Sequence, residues 1–414
     1  MTTMGSYRLG VVQPASDVDI VCIGPPGVSR EAFFDSFVQI LDSHEDVTEC
    51  VPIPEAYTPI VKLKMRGVCI DLLYAQVARP LPPGADLEAH AQDDAVLKHM
   101  DERSVRCMNG FRVADQLLAL VPNQETFRRT LRFVKHWARQ RNVYSNALGF
   151  FGGITWSLLV ARVCQLYPNY SPSQLVNRFF LFYLQWKWPN PVMLCPVYMP
   201  RKFLGLYGLK VWDPTTYPAD RQHVMPVITP AFPAMNSTYN VTETTKRILL
   251  EEFKRGYEMC RHVQNETAPW SKVYEPHPFL DEYKNFLLLE ILARAEDVYK
   301  KFSGWVEGKV RILVMQLEAL PGMLLHPNPV QYEIHGLDPE WPFGCGMLVA
   351  MSFSAAAGAH AGLNFDLNVR VTQFMAVLSS WSCKDDHAGQ CKLRLRRVTR
   401  SKLPEYITNP QVAQ

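Results

Sequence analysis

The sequence lacks any apolar run approaching the roughly 18 residues that a membrane-spanning helix needs. Its N-terminus lacks the charged-then-apolar pattern of a secretory signal. Paired cysteines are missing too: the ten Cys stand singly, at positions such as Cys22, Cys69, Cys107, Cys164 and Cys260, without a CxxC or a regular framework. That excludes a disulfide scaffold and predicts reduced intracellular thiols. Cys383, His387 and Cys391 have ligand chemistry but no fourth partner, which argues against zinc. No sign of charge dominates, with 43 Lys plus Arg against 40 Asp plus Glu. A net charge of +3 does not mark a nucleic-acid binder, so any basic surface must be local. The Asn-X-Ser/Thr triplets at Asn169, Asn236, Asn240 and Asn265 are chance matches in an intracellular chain. What remains is a soluble protein with no membrane partner, and its 414 residues exceed one ordinary core and predict two or three domains.

The first 85 residues carry acids in apolar settings. Ser16-Asp17-Val18-Asp19-Ile20-Val21-Cys22-Ile23 ends as a strand, where alternation sends Asp17 and Asp19 to one face and Val18 and Ile20 into the core. A helical pattern follows Ser29, a candidate N-cap, through Ala32, Phe33, Phe37, Ile40 and Leu41. Two further strands are expected at 60–65 and 68–74, the second carrying Asp71 in an otherwise apolar run. A carboxylate there is costly to bury unless paired or bound to metal. If the strands are neighbours, Asp17, Asp19 and Asp71 converge. Oxygen donors of that kind suit Mg²⁺, and two such ions can drive an in-line displacement that expels pyrophosphate. Upstream, Gly5-Ser6 forms a small turn opening a helix, able to offer N–H groups and a hydroxyl to a triphosphate. Asp-X-Asp alone reads as a surface turn; the combination of Gly-Ser, Asp-Val-Asp and a distant strand-borne Asp points to nucleotidyl transfer.

Farther along, Asn123 is a candidate N-cap for a helix over 124–141 whose apolar face holds Phe127, Leu131, Val134 and Ala138. Arg128, Arg132, Lys135 and Arg139 share another face, which is either solvated or aimed at a triphosphate. Tyr144-Ser145-Asn146 and Gly149-Phe-Phe-Gly-Gly153-Ile154 precede a further apolar helix. Those glycines permit close approach of a nucleotide or of a neighbouring helix. Near the end, Asn285–Leu289 reads as a strand. It is followed by a helix around 293–302, a second helical stretch after Gly304, and a Lys392/Arg394/Arg396 alternation that fits either phosphate contact or a charged edge strand. Residues 351–364, rich in Ala and Gly, read as a variable loop.

The arrangement resembles the nucleotidyltransferase superfamily that includes DNA polymerase beta. Gly5-Ser-Tyr-Arg-Leu-Gly-Val11, Asp17-Val-Asp19 and Ile70-Asp71-Leu-Leu73 resemble the eukaryotic nuclear (alpha-type) poly(A) polymerase family. So do Arg106-Cys-Met-Asn109, Lys135-His-Trp-Ala-Arg139, Trp186-Lys-Trp188-Pro-Asn-Pro191 and Met225-Pro-Val-Ile-Thr229-Pro230, and the likeness covers most of residues 4–330. The pattern Trp305-X-X-X-Lys309-X-Arg311-Ile312, with His326-Pro327-X-Pro329, resembles the family's RNA-binding domain.

The resemblance implies an α+β chain of three domains: a polymerase beta-like mixed-sheet nucleotidyltransferase domain over 1–88, a helical central domain over 89–268 and an RRM-like RNA-binding domain over 269–405, with a tail over 406–414. It implies template-independent addition of AMP from ATP to the 3′ end of RNA with two Mg²⁺ or Mn²⁺ ions. Asp17, Asp19 and Asp71 would be both metal ligands and catalytic groups. Gly5, Ser6, Asn109, Lys135, Arg139, Tyr144, Gly153 and Ile154 would hold ATP, and Asn146, Thr229 and Met235 would surround the adenine or the primer's terminal base. Arg139 stands where relatives often carry Lys. Nuclear location and the cleavage and polyadenylation machinery as partner follow from the same resemblance. Relatives also carry a longer N-terminal segment with a strand leading into the Gly5-Ser6 turn, so an unpaired sheet edge and a poorly anchored Ser6 are expected. The rival activities are terminal uridylyl transfer on the same scaffold and RNA binding without catalysis.

Overall fold

A computed structural model describes residues 1–13, 16–56, 58–80, 86–197, 209–335, 338–353 and 367–409. It divides into two compact units, residues 1–135 with 153–239, and residues 136–152 with 240–414.

The first unit begins with β1 (Thr2–Thr3), α1 (Gly5–Arg8) and β2 (Val18–Gly24). Next come α2 (Arg30–Ala32), a π-helical turn at Phe33–Phe37 and α3 (Val38–Asp42), then β3 (Val47–Ile53), β4 (Ile60–Met65) and β5 (Val68–Gln76). The five strands form one mixed sheet in the order β1-β2-β5-β4-β3, with β2 and β5 parallel and the other pairs antiparallel. Alternation gives the sheet two apolar faces. Cys22, Leu72 and Tyr74 pack with Phe33, Phe34 and Val38 on one; Val21, Leu73 and Ala75 pack with Val105, Met108 and Phe111 on the other. The helical part comprises α4 (Leu87–Gln92), α5 (Glu102–Leu120), α6 (Gln124–Gln140), which runs on beyond the unit's boundary, α7 (Gly153–Leu166) and α8 (Pro172–Gln185). Caps set their starts: Asp101 accepts from the Ser104 N–H, Asn123 from the Thr126 N–H, and Ser171 and Gln174 close a capping box around Pro172. Phe127, Leu131, Val134 and Ala138 are fully buried, as the spacing predicts.

The second unit holds α9 (Glu243–Gln264), α10 (Phe279–Glu282), β6 (Asn285–Ala293), α11 (Glu296–Glu318), β7 (Met323–His335), β8 (Phe343–Phe353), α12 (Asn368–Leu378), β9 (Cys391–Thr399) and α13 (Glu405–Thr408). Its sheet is antiparallel throughout, in the order β7-β8-β6-β9. From β6 to β9 the element order is β-α-β-β-α-β, the split arrangement of a ferredoxin-like or RRM-like sandwich. The α+β expectation holds for both units.

Five local expectations are corrected. Asp17 precedes β2 rather than lying within it. The π-turn adds a residue per turn ahead of α3, and Ile40, expected on the apolar face, is 63% exposed. The two helical stretches near 293–318 are one helix, α11, because Val298, Phe302, Val306, Val310, Leu313 and Leu317 form a continuous buried stripe that outweighs exposed glycines at 304 and 308. Residues 351–353 end β8, and the rest of the loop expected over 351–364 lies outside the described residues. Tyr406 and Ile407, expected in the tail, are buried in the unit's core.

Candidate active site

In the parallel β2–β5 pair, Asp19 stands opposite Asp71, and in the antiparallel β4–β5 pair Lys62 stands opposite Asp71. Residues paired across neighbouring strands share a face, so Asp19, Asp71 and Lys62 make one row across the sheet. It is the face that continues into Val21 and Leu73 beneath α5. Asp17 stands just ahead of β2 and is exposed. Burial, reinforced by Asp71 and Asp17, pushes the Asp19 carboxyl up to about 6, against the pull of Lys135 and Lys62. Asp71 is raised as well, chiefly by burial, with Asp17 adding and Lys62 opposing. Burial is the main cause for both acids; at Asp19 the neighbouring carboxylates outweigh the lysines, and at Asp71 Lys62 outweighs Asp17.

The Gly5-Ser6 turn abuts this row. Gly5 has φ +60°, and a Cβ on it would lie 1.9 Å from Asp19 Oδ2. The Met4 N–H donates to the Asp19 carbonyl at 2.9 Å. β1 pairs Thr2 with Val21 and Thr3 with Ile20, so the sheet edge expected to be unpaired carries a short strand. Ser6 is anchored too: its carbonyl accepts from the Val11 N–H at 3.0 Å, and Arg8 in the same turn pairs with Asp115 and with Glu88 at 3.1 Å.

The basic stripe of α6 is directed at the same turn. Arg128 Nε donates to the Leu9 carbonyl at 3.0 Å and an Arg132 guanidinium N–H to the Gly10 carbonyl at 2.6 Å. Lys135, one helical step further, is buried, and its charge acts on Asp19. Of the two alternatives for this stripe, a solvated face fails for Lys135, which is buried, while Arg128 is half-buried and Arg132 stays exposed although it bonds the turn.

A second group in the same unit collects Asn109, Thr229 and Met235. The Thr229 N–H donates to the Met235 carbonyl and the Met235 N–H to Thr229 Oγ1, both at 2.9 Å. Asn109 Nδ2 approaches Met235 Sδ at 3.7 Å, and Asn109 Oδ1 is buried with no hydrogen-bond partner among the described residues. Gly153 and Ile154 open α7, whose next residue, Thr155, donates to Ser237 Oγ at 3.0 Å. The other candidates belong to the second unit. There the Arg139 guanidinium lies 4.6 Å over the Tyr144 ring, Tyr144 bridges to Phe151, and the Asn146 carbonyl accepts from Asn240 Nδ2 at 3.1 Å.

Sequence reasoning missed Lys62. The strand 60–65 was legible, but its register against Asp71 is a property of the sheet, and only the alternation of Lys62 and Lys64 hinted at a charged face.

Among the described residues no group of three or more His, Cys, Asp or Glu side chains forms a ready metal cage. The donor set nevertheless fits a hard divalent cation: two adjacent half-buried carboxylates, both raised chiefly by burial, are what Mg²⁺ takes when water and substrate phosphates fill its other positions.

A mixed sheet carrying paired carboxylates beside a glycine turn and a lysine-bearing helix has the make-up of a nucleotidyltransferase catalytic domain. Three family models match the chain in succession: the poly(A) polymerase nucleotidyltransferase domain over residues 1–121, the poly(A) polymerase central domain over 126–276 and the poly(A) polymerase predicted RNA binding domain over 278–337. Nuclear poly(A) polymerase 1 of Arabidopsis thaliana is 42% identical over 98% of this chain and 55% of its own length. Nuclear poly(A) polymerase 2 of the same plant is 43% identical over 98% of this chain and 49% of its own. The poly(A) polymerase of Dictyostelium discoideum is 37% identical over 98% and 49%. The chain belongs to the poly(A) polymerase family, and it spans about half the length of the curated relatives it matches. No helix among the described residues is long and apolar enough to cross a membrane.

Proposed function

We propose that this chain adds AMP from ATP to RNA 3′ ends without a template. The observation that carries the reading is the register that sets Asp19 beside Asp71, with the Gly5 turn against Asp19 and the Lys135 charge acting on it. The RNA 3′-hydroxyl oxygen attacks the α-phosphorus of ATP; a P–O bond forms to the RNA, the α–β bridge bond breaks and pyrophosphate leaves. Asp17, Asp19 and Asp71 hold two divalent cations, Mg²⁺ or Mn²⁺. When bound, these ions supply positive charge that activates the hydroxyl and stabilises the leaving pyrophosphate.

Lys135 and the Gly5-Ser6 turn bind the triphosphate, where developing charge is worth stabilising. Asn109 bonds the ribose, its unpartnered Oδ1 being a ready acceptor for a hydroxyl. Gly153 and Ile154 line the nucleotide, and Thr229 and Met235 flank the base. In the second unit Arg139 and Tyr144 contribute to ATP and Asn146 to the adenine or primer base. In this division residues 1–88 are catalytic, 89–268 central and those from 269 onward hold RNA. The names of the Arabidopsis relatives suggest a nuclear setting, and we take the cleavage and polyadenylation machinery as partner from the family resemblance.

The test is extension of a short labelled RNA by purified protein with Mg²⁺ or Mn²⁺ and each nucleotide separately, beside Asp19→Asn. Long tails from ATP alone, absent in the variant while RNA still binds, are expected. UTP preferred over ATP, or no extension by folded protein, overturns the reading.

A further inference from the structure

Residues 126–212 contain no Asp or Glu and twelve Lys or Arg, although the whole chain is nearly neutral. Part of that basic charge is directed at the Gly5–Gly10 turn, through Arg128 and Arg132. Another part lies on α8. Its solvent side carries Arg178, Phe182 and, at the C-cap, Trp186, spaced four residues apart and therefore stacked along one face. The Arg178 guanidinium lies 5.7 Å over the Tyr167 ring, which stacks with Tyr170 at 5.0 Å. Phe182 and Trp186 meet at 5.1 Å, and the Trp186 indole N–H donates to the Asn190 carbonyl at 2.8 Å, which fixes its ring plane. At this end of the helix, Phe182, Gln185, Trp186, Lys187 and Asn190 line an open pocket of about 330 Å³.

Aromatic faces, exposed amides and a cation in one concavity suit an unstacked nucleobase with its phosphate. The rings stack on it, Gln185 and Asn190 reach its polar edge, and Lys187 takes the phosphate. A proline-rich peptide also docks on tryptophan. The Arg178–Tyr167 pair extends the patch along α8, and the sequence from 126 to 212 supplies no carboxylate to oppose an anion, which favours a polyanion over an uncharged peptide. The pocket is separate from the acid row: α8 packs on α7, α7 on α5, and α5 on β5, which bears Asp71. At roughly 8–10 Å per helix spacing, two helix layers lie between them.

We propose that this pocket is a second contact for single-stranded RNA, taking a base of the substrate strand upstream of its reacting 3′ end. The inference rests on RNA being the substrate. The test uses the full chain, fluorescently labelled oligo(A) of twenty and of four nucleotides, and the variants Trp186→Ala and Lys187→Gln. Lys187 is exposed, so its variant leaves packing intact, and urea midpoints check the other. The longer RNA should bind Trp186→Ala about tenfold more weakly. Lys187→Gln should flatten the slope of log K against log salt by about 0.7, the share of one phosphate on a single strand. Extension of saturating four-nucleotide primer should be unchanged in both.

Binding of the longer RNA at wild-type strength and salt dependence by both variants would overturn the proposal while leaving the polymerase reading intact. A proline-rich peptide that binds the wild type and neither variant, with RNA binding unaffected, would give the pocket to a protein partner and also overturn it. Failure of the wild type itself to bind or extend RNA would instead remove the reading beneath.

Discussion

At Gly5 two constraints coincide, a left-handed φ and an Asp19 oxygen where a side chain would begin. Alanine there costs about 1–2 kcal/mol for the backbone alone and must also displace a carboxylate. Gly5→Ala should therefore lower the urea midpoint modestly and extension activity far more; equal, small losses in both would mean that Asp19 does not need its present position. His277 supplies a different residue-scale test. Burial, with Arg141 and Arg255 nearby, lowers its imidazole to about 4, although Glu282 lies 3.3 Å away. The unfolded side chain takes a proton near 6.5 and the folded one only near 4, so stability is fully present above 6.5 and falls as pH drops through that window. The loss approaches about 3 kcal/mol at the low end. Urea unfolding at pH 7.5 and 4.5 should show a larger drop for wild type than for His277→Gln; His326, buried beside it and also lowered, retains part of the effect in the variant.

Among the elements, α11 shows how burial overrides composition. Gly304 and Gly308 sit within it, exposed, with nothing within 4 Å of the place a Cβ would take on either. Gly304→Ala and Gly308→Ala should each raise stability by about 0.5–1 kcal/mol, read from the urea midpoint, with no change in activity. Strands β4 and β5 were legible because apolar residues dominate them. β3 was not, since an edge strand containing Pro52 and exposed Thr48 and Glu49 has little to distinguish it from a loop. The Lys392/Arg394/Arg396 alternation marked β9 correctly as charged. The structure makes it an edge strand, and it pairs Arg396 with Glu290 at 2.8 Å and Arg394 with Asp338 at 3.3 Å. Part of the charge that sequence offered to phosphate is thus matched by the protein's own acids.

On the scale of the molecule, the second unit is assembled from residues 136–152 and a segment that begins at 240. Arg141 joins them: it forms two bonds of 2.8 Å to Glu252 and one of 2.9 Å to the Glu275 carbonyl, with both ionic side chains more than nine-tenths buried. Arg141→Met leaves a buried carboxylate unpaired and should cost about 3–5 kcal/mol. The double variant Arg141→Met, Glu252→Leu should recover most of that in urea unfolding. Recovery of none would show that the pair contributes specific geometry beyond the cancellation of charge. A ligand test belongs at this scale as well. Because a ligand bound only to the native state stabilises by mass action, ATP with Mn²⁺ at about 100 times its Kd should add about 2.7 kcal/mol. Chelation, or Asp19→Asn, should abolish the gain.

The sequence by itself determined the family, the α+β class and the apolar faces of most helices and strands. Each of these depends on residue order over short spans, where period and motif are sufficient. Tertiary structure alone decided that Asp19 stands beside Asp71 and Lys62, that Arg128 and Arg132 bond the Gly5–Gly10 turn, and that Asn109 meets Met235 from more than a hundred residues away. Strand register and helix packing are set by burial summed over the whole unit, and no local window contains that sum.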